Sequence, residues 1–335
     1  MAASNWLSRL AFSQNFLIFF QGGWCRPQTD GPALRGMALS KWGTILLDNG
    51  QESMAKDTVW PLIKFDMEWV LTGWDSNGCD LWEEVRSADF FWNQMGFVYS
   101  LNVAADFADR VGDSVGASYR STADTILESA RKHWNGNFIY EASNRQQDGS
   151  VIHAIATFGD YAFGPSSNEA AATIATYAKT FCREYKINQD DLSNGEPGIL
   201  IGRYPGDSYA GGNPWQLLTA VLGETFYLGA QATLKTIQEN KGLDYELDLE
   251  GSKAWIQLLD AKNTRNIKTA RDLARAQLGA GDSVMSRLWK YVKNDGGRVD
   301  EQIDKFQGNQ ASAQGLTWSY ANILHALYVR DNLKF

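Results

Sequence analysis

The chain has 335 residues, 44% hydrophobic and 21% charged, with 31 Lys and Arg against 39 Asp and Glu for a formal net charge of −8. That much apolar sequence closes a large core and excludes a disordered regulator or a small disulfide scaffold. No cationic surplus is left to neutralise phosphates, so neither nucleic acid nor an anionic membrane is an expected partner. Cys25, Cys79 and Cys182 allow at most one bridge and lack metal-site spacing, which leaves the redox compartment open. The 13 Trp, 13 Tyr and 16 Phe are an unusually rich aromatic set. Indole faces suit sugar rings and protein cores alike.

Residues 1–22 carry one positive charge, Arg9, and their longest apolar run, Phe16 to Phe20, falls far short of the ~20 residues of a membrane span. They read as a poor secretion signal: a degenerate signal, a buried first helix and an aberrant start all fit. Beyond them the apolar positions recur with helical period. Phe91, Met95, Val98, Leu101 and Ala105 trace one stripe, and Ala123, Ile126, Leu127, Ala130 and Trp134 another. Two more run through Ala170, Ile174, Tyr177, Ala178 and Phe181, and through Tyr320, Leu324, Leu327 and Tyr328. Phe138 to Tyr140 and Val151 to Ile155, around Asn-Arg-Gln-Gln-Asp-Gly-Ser, predict one hairpin, and nothing predicts a large sheet. Residues 193–214 form a long Gly-, Asn- and Pro-rich connection with interspersed aromatics, a loop length that usually carries function. The reading is one mainly α domain of successive helix pairs.

Gly112 to Gly116, Gly-Asp-Ser-Val-Gly, matches the nucleophile-elbow pattern, but a helix precedes it where the elbow needs a strand, so Ser114 is expected in an inter-helix turn. His133, His153 and His325 lack metal-ligand spacing, and no metal site is expected. Segment 78–87, Gly-Cys-Asp-Leu-Trp-Glu-Glu-Val-Arg-Ser, is more informative. It crowds Asp80, Glu83 and Glu84 around Trp82 just before a helix. Acidic residues there favour the helix dipole, yet an aromatic wall also desolvates one carboxyl while its neighbours stay ionised, which is how a general acid is made at neutral pH. Glycoside hydrolysis needs a second carboxylate across the scissile bond, and Glu301 in Gly-Gly-Arg-Val-Asp-Glu-Gln is a candidate. By spacing alone Glu301 is an ordinary surface glutamate.

Asp-Leu-Trp-Glu-Glu-Val, read with GGWCRPQTDGPALRG before it and IGRYPGDSYAGGNPW and DEQIDKFQGNQASAQGLTWSYANIL after it, resembles the fungal glucoamylases of glycoside hydrolase family 15. The resemblance is colinear from about Gly23 to the last helix. It implies an all-α (α/α)6 toroid, incomplete at its N-terminal helices, with the active site in loops at one end of the inner ring. The implied activity is stepwise release of β-D-glucose from the non-reducing ends of α-1,4-linked glucans such as starch, glycogen or maltodextrins, by an inverting displacement without cofactor or metal. Glu83 matches the general acid and Glu301 the base. Asp80 matches an aspartate sometimes assigned to the water; three residues from Glu83, it is better placed as a supporting or binding carboxylate. Trp24, Leu81, Trp82, Glu84, Arg203 and Trp215 match positions at the sugar sites, and Arg26 and Asp207 look like network residues.

The sequence departs from the family in two places. It has no Trp-x-Arg-Asp segment, whose charged pair grips the innermost glucose in the family, and Cys25 stands where the family usually has Gly. Residues 1–22 are expected as a segment unlike the family and 23–335 as the catalytic domain, without a starch-binding module. A catalytically impaired fragment or glucan-binding remnant is the alternative. Location is expected to be extracellular or vacuolar by resemblance, with no clear signal peptide in the chain.

Overall fold

The computed structural model describes residues 23–260 and 266–335. The proposed segment 1–22 lies outside the described residues. In chain order the main helices are α1 (Gly31–Asp48), α2 (Trp60–Gly73), α3 (Phe91–Val111), α4 (Gly116–Ala130), α5 (Gly149–Phe158), α6 (Asn168–Glu184), α7 (Lys186–Ser193), α8 (Gln216–Glu239), α9 (Lys253–Leu259), α10 (Ala270–Val292) and α11 (Thr317–Asp331). Described strands are two-residue pieces: β1 (Gly78–Cys79) pairs antiparallel with β2 (Arg86–Ser87), and β3 (Gln302–Ile303) with β4 (Gln310–Ala311).

The helices form two layers. Each of α1, α3, α5, α8 and α11 packs on the next in an inner row, while α2, α4, α6 and α10 back them from outside. Sequence composition dictates the layers: α3 and α8 are buried around nearly their whole circumference, whereas α6 and α10 are amphipathic. Outer helices carry explicit start signals. The Ser167 side chain accepts from the Ala170 N–H at the head of α6, and Thr269 with Asp272 forms a reciprocal capping box on α10.

The stripes predicted over α3, α6 and α11 are helical, and that over α4 is helical as far as Ala130, with Trp134 beyond the helix end in an isolated bridge to Ile139. On α11 the stripe faces outward: Leu324, Leu327 and Tyr328 are exposed, and Leu327 lines a cleft of about 490 Å3 together with Ile323 and, from α10, Met285 and Trp289. The predicted hairpin is overturned. Residues 149–158 form α5, capped by the Asp148 carboxylate accepting from the Ser150 N–H at 2.8 Å, because this apolar run is buried on every side and its backbone bonds close internally. Ser114 sits in the turn between α3 and α4, after Gly112 takes the left-handed conformation that ends α3 (φ 82°).

The loops preceding α1, α3, α8 and α11 hold the candidate residues. These loops lie at the starts of the inner helices, so the inner row gathers distant sequence segments onto one end of the array.

Candidate active site

The 80–85 turn is built around Asp80. Its buried Oδ1 accepts from the Glu84 N–H at 2.7 Å and the Val85 N–H at 3.1 Å, while its carbonyl accepts from the Glu83 N–H at 3.0 Å. These bonds place Glu83 at φ +63°, a conformation unfavourable for a side chain with a Cβ, so the turn persists only because its surroundings over-determine it. Burial pushes the Asp80 carboxyl above its usual range, against the two N–H donors and the charge of Arg145, whose Nη1 lies 3.1 Å from Oδ2.

Glu84 is locked as firmly. Its Oε1 meets Arg203 at 2.9 Å, its Oε2 meets Arg145 at 3.0 Å, and the Tyr204 hydroxyl donates to the same Oε2. Arg203 is buried and grips Asp207 with two parallel bonds, 2.8 and 2.7 Å. Burial alone would lower the Arg203 pKa, but Asp207 and Glu84 hold it above the usual value, so the guanidinium stays charged. Arg145 also stacks on the Tyr204 ring at 3.7 Å. The left-handed Gly212 lets the 207–215 loop fold tightly, for a Cβ there would stand 1.7 Å from the Asp207 carbonyl oxygen.

Glu83 differs from its neighbours. Its side chain is 29% exposed and pairs at 2.8 Å with Arg26, itself 37% exposed, at the rim. Trp24, beside it in sequence to Arg26, is exposed and meets Tyr209 edge to face at 5.8 Å. Leu81 is half-buried, its carbonyl accepting from the Gln28 amide at 3.2 Å.

Glu301 reaches the same region from the other end of the sequence. Its carbonyl accepts from the Gln216 N–H at 3.0 Å, its N–H donates to Ala313 at 2.9 Å, and Ser312 donates to its Oε2. Residue 216 follows Trp215, whose ring packs 5.5 Å from that of Trp82. Trp82 also meets Trp318 at 6.2 Å, and Arg203 sits over both Trp82 and Trp215. The turn carrying Glu83 and the loop carrying Glu301 are thus joined through the Trp82–Trp215 contact. Asp80, Glu84, Arg203 and Asp207 form a single charged network beneath it.

Sequence reading missed Arg145, Asp148, Tyr204 and Tyr209. Arg145 and Asp148 fall in the segment read as a hairpin turn, and only the helical character of 149–158 could have shown that Asp148 caps a helix beneath Trp82. The Asp148 carboxyl is pushed up to about 6 by burial, although it accepts from Ser150 and from the Trp82 indole and faces the charge of Arg145. The one bridge the cysteines allow is Cys25–Cys79, with Cys182 free. The histidines do structural duty: His133 bonds the Asp89 carboxylate and the Tyr140 carbonyl, His325 meets Glu224 at 2.7 Å, and His153 is buried against Trp92.

Residues 18–328 match the family described as Glycosyl hydrolases family 15. The chain belongs to that family. It is 35% identical to Glucoamylase-1 of Schizophyllum commune over 331 residues, 94% of this chain and 55% of that protein. It is 32% identical to Glucoamylase P of Amorphotheca resinae over 319 residues, covering 90% and 50%. Among solved structures, the Hormoconis resinae glucoamylase superposes with a TM-score of 0.80 at 28% identity, covering 93% of this chain and 54% of that one. The Hypocrea jecorina family 15 glucoamylase also gives 0.80 at 28% identity. These are (α/α)6 barrels, which accounts for the inner and outer helical layers. The chain spans about half the length of these family 15 relatives.

Proposed function

We propose that this family 15 chain is an exo-acting, inverting glycosidase that removes terminal α-1,4-linked glucose from the non-reducing ends of starch, glycogen or maltodextrins as β-D-glucose. The observation that carries the reading is the contrast within one turn. Asp80 and Glu84 are bound up by Arg145 and Arg203 within the network, while the Glu83 side chain, 29% exposed, lies at the rim beside Arg26. Glu83 gives its proton to the departing glycosidic oxygen as the bond from the anomeric carbon breaks. Glu301, oriented by Ser312, takes a proton from the water whose oxygen bonds that carbon from the opposite face. Room for this water requires about 6.5–9.5 Å between the two carboxyl groups. Asp80 acts as a positioning residue for Glu83. Trp24, Leu81, Trp82 and Trp215 supply the sugar-facing walls, and Glu84 and Arg203 bind hydroxyls. No cofactor enters this scheme.

The test is turnover of maltotriose by Glu83→Gln and Glu301→Gln, with maltotriose binding followed by tryptophan fluorescence. Both variants are expected to bind while losing 10²-fold or more of kcat, about the range for removing an acid or base. Normal turnover by Glu83→Gln would contradict the assignment. A second reading is glucan binding without turnover. It predicts saturable binding and no glucose from the unmodified chain.

We also propose an extracellular or vacuolar location. The Cys25–Cys79 disulfide supports it, since such bridges persist in oxidising compartments. None of the described helices is long and apolar enough to cross a membrane.

A further inference from the structure

The Cys25–Cys79 bridge joins segments 54 residues apart in sequence. One carries Trp24 and Arg26, and the other runs directly into the turn bearing Glu83. A strap of backbone bonds continues the link. The Cys25 N–H donates to the Glu83 carbonyl at 2.6 Å, the Cys79 N–H donates to the Pro27 carbonyl at 2.8 Å, and Arg86 donates to the Arg26 carbonyl. At the end of this strap Arg26 holds the Glu83 carboxylate itself. The residue so held has an unfavourable positive φ of 63°. By contrast, Arg203 and Trp82 are fixed without the strap, Arg203 by Asp207 and Trp82 by Asp148.

We propose that the Cys25–Cys79 disulfide is a positioning element for Glu83, pinning the Trp24–Arg26 strap against the turn so that the acid's backbone and carboxylate are held from the solvent side. The inference rests on the reading of Glu83 as proton donor. Turnover then depends on the redox state of the bridge. Cys25 is half-buried at the rim, so a dithiol reductant has a sulfur to attack, whereas Cys79 is buried. Attack by a dithiothreitol thiolate breaks the S–S bond, and closure of the mixed disulfide leaves two cysteine thiols and the cyclic oxidised reductant, a two-electron, two-proton exchange.

The experiment compares one preparation untreated, reduced with dithiothreitol, and reoxidised, well below the unfolding midpoint of each form. Thiol titration defines the states: one thiol, Cys182, before reduction and three after it. Reduction is expected to lower kcat on maltotriose about tenfold or more, a larger change than in KM, to which the Trp24 wall on the same strap contributes, with full recovery on reoxidation, an order-of-magnitude expectation for a misplaced catalytic group. Amide exchange in peptides covering 80–86 is expected to quicken on reduction while α3 and α8 keep their protection. Cys25→Ala with Cys79→Val, which keeps the buried position apolar, repeats the test without reductant. Unchanged kcat and unchanged 80–86 exchange in a chain with three titratable thiols would overturn the proposal. So would global loss of protection in both the reduced and the substituted chain, which would assign the bridge to fold stability. A chain inactive in every state would refute the enzymatic reading, and the exchange comparison would still decide whether the bridge holds the turn.

Discussion

The Trp82 indole N–H donates to the Asp148 carboxylate at 2.8 Å, across 66 residues of sequence. The same carboxylate caps α5 through Ser150 and lies 3.8 Å from Arg145. One buried group therefore sets the tilt of an aromatic wall, the start of an inner helix and the position of a cation that neutralises two carboxylates. This coupling between core and loop explains why the turn at 80–85 keeps its shape among long connections.

Removing that group exposes the coupling. Asp148→Ala leaves an indole N–H and a helix-start N–H unsatisfied in a buried site, at a cost of about 2–4 kcal/mol. Urea unfolding at pH 7 checks the value. A change within about 0.5 kcal/mol, the usual size for an inconsequential surface substitution, would contradict the role.

Arg145 bridges Asp80 and Glu84 at 3.1 and 3.0 Å and is largely buried itself. Arg145→Met leaves both carboxylates without this partner and is expected to destabilise the chain by about 3–5 kcal/mol. Arg145→Lys should recover only part of the loss: one nitrogen, Nη1, meets both carboxylates, as an ammonium could, but an ammonium has no planar face to lay on the Tyr204 ring. Thermal and urea midpoints of the two variants measure the difference, and equal stability of Lys and Arg would count against a contribution from the Tyr204 stacking.

His153 is buried between Trp92, 4.8 Å away, and Trp318, 5.9 Å away, and burial pushes its pKa down to about 4. The unfolded chain, with an ordinary histidine near 6.5, binds more protons between those values. Stability from keeping this ring neutral is therefore present above pH 6.5 and is lost as pH falls toward 4. His153→Phe is expected to flatten the unfolding free energy between these pH values. An unaltered slope would show that the ring does not titrate between the two states.

Of the inner helices, α3 and α11 were legible from their apolar period, while α1 and α8, the latter buried around nearly its whole circumference, were not singled out by period. Such burial misled at Val151 to Ile155, where a run apolar on all sides carries no periodicity to tell helix from strand. The outward stripe of α11 shows the complementary limit: period reveals the face that is apolar, but not whether something covers it. At the candidate site, Glu83, Glu84 and Trp82 stood out as a dense local cluster, and Glu301 only through resemblance. Arg145 left no local signal, and Asp148 only that of a helix cap ahead of an apolar run. Their roles depend on contacts 61 to 66 residues away, which spacing does not encode. The cysteine count permitted one bridge, and only the approach of the 24–28 strap to β1 selected Cys25 with Cys79.

The central claim is an inverting attack assisted by Glu83 and Glu301, and it is tested most directly by the configuration of the first glucose released. Proton NMR of maltotriose mixed with the purified chain, recorded before mutarotation, should show the anomeric signal of β-glucose appearing first. It should be absent with Glu83→Gln. Initial release of α-glucose, or no glucose from a demonstrably folded chain, would contradict the account.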